Sequence, residues 1–356
     1  MRVAVGQFHR PDPEILRFAA QLGVEGVQLN TPLLPGLRRW EVDDLVALRR
    51  EVESYGLRVE ALENVPRSFY DQVMLGGPER DLQLENLQAT VRHVGEAGIP
   101  ILGYHFTPSF VWRTTFDAPG RGGAKVTAFD LARAQQDRYV MVYKVDPTVG
   151  AHTSTRYDLS DPPVDEHDMW HNYETFLSAL LPEAERAGVR LALHPADPPV
   201  IGMGGAARLF CSVESFVRAA DMAGGSPAWG LNLCLGCCSE MPGGAENVFQ
   251  MIERFGRTGQ VCYVHMRDVQ GSVPSFRECF IDEGNYDPAE AVRALHRVGF
   301  DGFILDDHVP HVAGDTAWGH RSRAFAIGYI QGLLRSLPDS ETTPRPTSGP
   351  ANRVSL

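Results

Sequence analysis

The chain has 356 residues, 43% hydrophobic and 22% charged, with a formal net charge of −12. That is ordinary globular composition, with enough apolar mass for a large core. The acidic balance and the lack of a Lys/Arg cluster exclude nucleic acid and an anionic membrane surface as expected partners.

Taken in order, residues 2–6 read as a first strand. Residues 13–22 read as a helix, with Asp12 as N-cap, Pro13 at its first position and Gly23 at its end. A second strand is expected at 26–29 and an amphipathic helix at 42–55, stopped by Gly56. The third strand, 57–62, runs to Glu63-Asn64. A long helix follows at 78–97, and a fourth strand at 100–104 ends at His105. From 106 to 165 the rhythm breaks into prolines, glycines, aromatics and arginines. This stretch is too long for an ordinary connection and reads as an elaborated loop over a site.

The alternation then resumes. Helix 166–187 stops at Gly188, strand five is 189–193, and a helix follows at 214–222. Strand six is 228–233 and its helix 245–255. Strand seven is 261–264 and its helix 288–298. Strand eight is 302–305, and a last helix covers 322–336. Residues 337–356, rich in Pro, Ser and Thr, read as a disordered tail. Eight strands alternating with helices predict an α/β fold, a single (β/α)8 TIM-barrel domain over 1–336 with a long insertion after strand 4. An open doubly wound sheet is weakened by the missing G-x-G-x-x-G turn after the first strand.

No stretch reaches the roughly 18 apolar residues of a membrane span, and the N-terminus turns polar too early for a signal peptide. A cytoplasmic protein is the expectation. The six cysteines, Cys211, Cys234, Cys237, Cys238, Cys262 and Cys279, come late and irregularly, which suits reduced thiols better than a disulfide framework.

Four late strands share one plan. Leu191-Ala192-Leu193 ends on His194, and Leu231-Asn232-Leu233 on Cys234. Tyr263-Val264 ends on His265, and Ile304-Leu305 on Asp306-Asp307-His308. In a TIM barrel the chemistry sits at the C-terminal strand ends. Two imidazoles, a thiolate and a carboxylate suit a divalent transition ion: Mn, Fe, Co or Zn. Each residue alone also has an ordinary structural reading; the coincidence on consecutive strands favours a site. Asp306 and Asp307 compete for the fourth place, and strand alternation does not choose. Cys237 and Cys238 read as loop or packing residues. Surface or hydrogen-bonding roles are the default for His9, His105, His152, His311 and His320.

The motifs Leu193-His194-Pro195-Ala196-Asp197-Pro198-Pro199, Leu233-Cys234-Leu235-Gly236, Val264-His265-Met266-Arg267-Asp268-Val269 and Asp306-Asp307-His308 resemble those of the mannonate dehydratase family, within the xylose-isomerase-like barrels. Weaker marks are Glu63-Asn64-Val65-Pro66, Tyr104-His105-Phe106-Thr107-Pro108, Trp112-Arg113-Thr114 and Ala128-Phe129-Asp130. The resemblance implies Mn2+ on His194, Cys234, His265 and Asp307, with Fe2+, Co2+ and Zn2+ as alternatives, and acid/base work for His308. It implies loss of water across C2–C3 of a small anionic sugar acid, mannonate or a close relative, and a homodimer. Three positions depart from the pattern. Arg321-Ser322-Arg323-Ala324 lacks the family's Tyr, Glu278-Cys279-Phe280-Ile281 has Ile where the family has His, and Ala196 replaces an Asp.

The proton beside a carboxylate is very weakly acidic, so a metal and a base are needed to remove it, and an acid to protonate the leaving hydroxyl. His311, His320 and Tyr104 are candidates for the second proton-transfer group. Arg267, and more weakly Arg113 and Arg208, are candidates to pair with the substrate carboxylate. A metal-dependent isomerase or epimerase on the same barrel, and a non-catalytic sugar-acid binding protein, are the alternatives.

Overall fold

A computed structural model describes residues 1–109, 111–134, 139–146, 151–158, 164–203 and 205–338. Of the expected tail, residues 339–356 lie outside the described residues, as do 110, 135–138, 147–150 and 159–163 of the long insertion.

The elements run β1 (Arg2–Val5), α1 (Pro13–Gln21), β2 (Gly26–Asn30), α2 (Val42–Glu53), β3 (Arg58–Glu63), α3 (Asp71–Leu75), α4 (Arg80–Glu96) and β4 (Ile101–Tyr104). The insertion holds β5 (Thr115–Pro119), β6 (Lys125–Asp130), β7 (Tyr139–Asp146) and β8 (Ala151–Asp158). Then come α5 (Glu166–Ala187), β9 (Arg190–Leu193), α6 (Val213–Met222), β10 (Trp229–Cys234), α7 (Leu235–Glu240), α8 (Ala245–Gly256), β11 (Val261–His265), β12 (Val269–Ser272), β13 (Ser275–Glu278), α9 (Pro288–Arg297), β14 (Phe303–Leu305) and α10 (His320–Arg335). Local chemistry sets the helix ends. The Asp12 carboxylate accepts from the amides of Glu14 and Ile15, Ser212 forms a capping box with Ser215, and Gly188 closes α5 in the left-handed region.

Eight parallel strands close a barrel in the order β1-β14-β11-β10-β9-β4-β3-β2. The expected α/β TIM barrel is what the chain forms. Inside it, Ala4, Ala61 and Ala192 leave room for Tyr263 and Phe303, whose rings stack at 4.8 Å. Outside, a continuous apolar layer joins strands to helices. Strand side chains alternate, so the two-residue period that points Ala192 and Tyr263 inward aims His194 and His265 at the interior just beyond the packed layer, while Asp307, two residues past β14, is turned by its own left-handed backbone.

The insertion is not a bare loop. Its β5–β6 hairpin joins β12–β13, which follow the seventh barrel strand, in an antiparallel sheet ordered β12-β13-β6-β5. β7 and β8 form a separate antiparallel pair in register from Tyr139–Asp158 to Asp146–Ala151. Among the described residues no helix is long and apolar enough to cross a membrane.

Candidate active site

The four late strand ends converge. Ligand atoms of Cys234, His265 and Asp307 lie within 4.8 Å of one another, as do those of His194, Cys234 and Cys237, and of Glu63, His194 and His265. All are buried. His194 Nδ1 lies 2.7 Å from the Pro195 carbonyl. A carbonyl only accepts, so Nδ1 carries the proton and Nε2 is bare. His265 Nε2 sits 3.1 Å from Glu63 Oε2, and its buried Nδ1 lies 3.4 Å from Asp307 Oδ1. His194 thus turns its bare nitrogen to the cluster, while His265 is held between two carboxylates. The two aspartates point in different directions. Asp306 turns away to Arg323 Nη1 at 2.7 Å, and Asp307 turns in, its backbone left-handed at φ 54°.

The charges of the cluster hold one another. Burial alone would push the His265 imidazole down, but Asp307 and Glu63 outweigh it and hold its pKa well above the ordinary value. Burial alone would raise Asp307; His265 and His308 instead hold it well below. The Cys234 thiol is likewise raised by burial but held well below its usual value, first by the hydrogen bond with Cys237 and then by Arg267. Burial raises Glu63 too, yet the surrounding imidazoles bring it down to about 2. A divalent ion fits this donor set of two imidazoles, a thiolate and carboxylates.

His308 stands beside this cluster. Its Nδ1 lies 2.7 Å from Glu278 Oε1 and its Nε2 3.9 Å from Asp307 Oδ1. Glu278 ends β13 and is itself held by Arg113 Nη2 at 2.8 Å. Arg113, just before β5, forks onto Asp197. The insertion therefore has a definite task in its described part: with β13, it delivers the carboxylate that orients His308. Burial lowers the His308 pKa, but Asp307 and Glu278 more than compensate and carry it to about 9.

Arg267 is placed differently from expectation. Its Nε meets Asp307 Oδ2 at 3.0 Å, Nη1 meets Glu240 at 2.8 Å, and Nη2 meets Asp197 at 2.8 Å and Cys237 Sγ at 3.2 Å. Every arm of the guanidinium is engaged by the protein, so it holds Asp307, Glu240, Asp197 and Cys237 rather than reaching for a substrate carboxylate. Gly236 makes the space: a Cβ there would lie 2.5–2.7 Å from the guanidinium and its stem. Arg113 is held in the same network, and Arg208 ties the Pro198 carbonyl to Ser109 Oγ.

A cavity of about 210 Å³ opens over these groups. It is lined by residues including Gln7, Asn30, Asn64, Arg67, His105, His194, Asp307 and His308. His311 and His320 do not line it. His311 is exposed, its backbone bridged to Lys125, and His320 packs against Phe18 and Trp318 with Nδ1 2.6 Å from Thr316 Oγ1. Tyr104 is also elsewhere, bonding the Tyr173 hydroxyl at 2.9 Å between barrel and α5. His105, one residue on, faces the cavity and stacks on His194 at 4.1 Å. Burial pushes its pKa down to about 3. His152 falls where side chains are not described.

A closed (β/α)8 barrel with metal-type donors on consecutive strand ends, beside a carboxylate-held histidine, is the class of protein this chain forms. A xylose isomerase domain protein from Planctomyces limnophilus shares this fold, with a TM-score of 0.56, 14% identity and 94% and 97% of the two chains covered. Residues 1–343 match the family D-mannonate dehydratase (UxuA), and the chain belongs to that family of hydro-lyases. Mannonate dehydratase of Lactococcus lactis subsp. cremoris is 28% identical over 345 residues, 91% of this chain and 94% of that one. The crystal structure of mannonate dehydratase from Streptococcus suis superimposes with a TM-score of 0.81 at 27% identity, covering 94% and 93%.

Proposed function

We propose that the chain dehydrates a sugar acid, D-mannonate or a close relative, to the 2-keto-3-deoxy acid and water. His194, Cys234, His265 and Asp307 are the proposed ligands of a divalent transition ion, Mn2+ in the first instance. The observation that carries this reading is the convergence of those four strand-end donors with a carboxylate-oriented imidazole, His308, on one cavity. Bound there, a divalent cation supplies the positive charge that makes the proton beside the substrate carboxylate removable.

The protein's own groups do the rest. Glu278 holds the Nδ1 proton of His308, so Nε2 is the nitrogen that exchanges protons with substrate, at C2 or at the departing C3 hydroxyl. Arg267 and Arg113 fix Asp307, Asp197 and Glu278, so the carboxylates around the reacting carbons are pre-set rather than reorganised. The reaction removes hydrogen from C2 and hydroxyl from C3; the resulting enol becomes the 2-keto acid.

The test is turnover by Mn2+-loaded protein on a panel of aldonic acids, with detection of 2-keto-3-deoxy products. Product from mannonate is expected, with His308→Asn inactive but still binding metal. Absence of product from every acid by the metal-bound protein would overturn the reading.

A further inference from the structure

Four neighbouring barrel strands, β14, β1, β2 and β3, end at the cavity in the same unusual way. Each is followed or closed by a non-glycine residue with left-handed backbone: Asp307 (φ 54°), Gln7 (φ 64°), Thr31 (φ 40°) and Asn64 (φ 63°). Such conformations are costly for ordinary residues and gather where a site needs them. Here they bring three carboxamides into a row. Gln7 Nε2 donates to Asp307 Oδ1 at 2.6 Å, Asn30 Nδ2 to Gln7 Oε1 at 2.9 Å, and Asn64 Nδ2 to Asn30 Oδ1 at 3.3 Å.

The sense of this row is dictated by its end. A carboxylate held by Arg267 only accepts, so Gln7 must present its NH2 to Asp307. Its oxygen must then take the NH2 of Asn30. The Asn30 oxygen in turn accepts from Asn64 and from Thr31 Oγ1 at 3.1 Å, which uses both lone pairs. All three amides point the same way, and aligned amides polarise one another. One acceptor is left over at the far end. Asn64 Oδ1 is buried and has no hydrogen-bond partner. A buried polar atom left unpaired is rare and calls for an explanation.

Resting on the dehydratase reading, we infer that Asn64 Oδ1 is a specificity-determining acceptor for a hydroxyl on the polyol tail of the sugar acid. The chemistry sorts the two ends of such a substrate. A carboxylate has only acceptors and is repelled by this oxygen, so the acid group belongs at the opposite end of the cavity, where the proposed cation would sit. The tail carries hydroxyl donors, and a hydroxyl completes the row. The Asn64 amide must keep its orientation to do this, and Asp307 fixes that orientation through Gln7 and Asn30.

The experiment compares D-mannonate with its 4-, 5- and 6-deoxy analogues, for the full-length Mn2+-loaded wild type and two variants. Asn64→Gly removes the side chain where glycine fits the left-handed backbone. Asn64→Asp keeps an acceptor at this position, replacing the donor to Asn30 by a charged oxygen. In the wild type, kcat/KM for one deoxy acid is expected to fall about tenfold, the cost of leaving a buried acceptor unpaired. In Asn64→Gly that discrimination shrinks to near unity and KM for mannonate rises. Asn64→Asp retains the discrimination. Equal discrimination in wild type and Asn64→Gly, or none in the wild type, overturns the assignment. Wild-type turnover separately tests the dehydratase reading. If the protein binds without turning over, the same ratios are read from Kd, with the same two outcomes.

Discussion

His308 Nδ1 lies 2.7 Å from Glu278 Oε1, and the two residues come from different connections at the barrel mouth, the loop after β14 and the end of β13. That contact fixes which imidazole nitrogen carries the proton. Glu278→Gln keeps the volume but removes the charge that holds the tautomer. The expected result is a loss of kcat of about ten- to a hundredfold, typical for an outer partner of a site. Metal content, measured on the same preparation, stays at the wild-type level because Glu278 is not among the proposed ligands. Unchanged kcat would take Glu278 out of the proton path.

Arg267 is 3% exposed and is shared by Asp307, Asp197 and Glu240. Removing it strands charges that burial cannot tolerate. Burial and the Asp197 charge already push Glu240 well above the usual carboxylate range. Arg267→Met is expected to destabilise the protein by about 3–5 kcal/mol, the cost of breaking a buried ion pair. Denaturant titration would show this as a lower midpoint. Gly236→Ala should reproduce part of the loss, since its methyl group falls on the same guanidinium.

How much of this was readable from the sequence varies with the physics involved. The metal-type donors were legible because four successive apolar runs each close on such a residue, although any one of them alone has an ordinary structural reading. The barrel was legible from the alternation of strands and helices. Gln7, Asn30 and Asn64 were not, since an amide at a strand end resembles any turn residue; only applying the strand-end rule to all eight strands would have singled them out. Arg267 sits two residues past His265, which suggests a cavity-facing side chain. The chain leaves the ladder at His265, and the room at Gly236 draws the guanidinium beneath Asp307 and Cys237. His311 and His320 lie near the ligand-bearing strand in sequence, but neither reaches the cavity. The short helix α7 and the β12–β13 hairpin were missed. Six residues are too few for a helical period, and Val273-Pro274 reads as a loop.

The proposed role of Cys234 can be read without turnover. A thiolate bound to Co2+ gives a sulfur-to-metal charge-transfer band that oxygen ligands lack. Co2+-loaded wild type is expected to show this band, and Cys234→Ser to lose it. Cys237 is the other sulfur of the cluster, its thiol held up in the wild type by burial and by Cys234. Removing the ion with a chelator should lower Tm, since a ligand of the folded state stabilises it by mass action. A band that persists in Cys234→Ser would assign the sulfur ligand elsewhere.

Alkaline pH should weaken the fold through two thiols far from this chemistry. Burial pushes Cys211 up to about 12 and Cys262 up to about 11, from an ordinary value of 9.0. Above pH 9 the unfolded chain loses these protons while the folded chain keeps them. The folded state then binds more protons, so stability is intact below pH 9 and falls as pH rises towards the folded values. Each thiol contributes a slope of about −1.4 kcal/mol per pH unit in that window. Cys211→Ala removes one such contribution. Its unfolding free energy, measured by denaturant titration from pH 8 to 11, is expected to fall less steeply than that of the wild type. Parallel curves would show that the Cys211 thiol ionises as easily folded as unfolded.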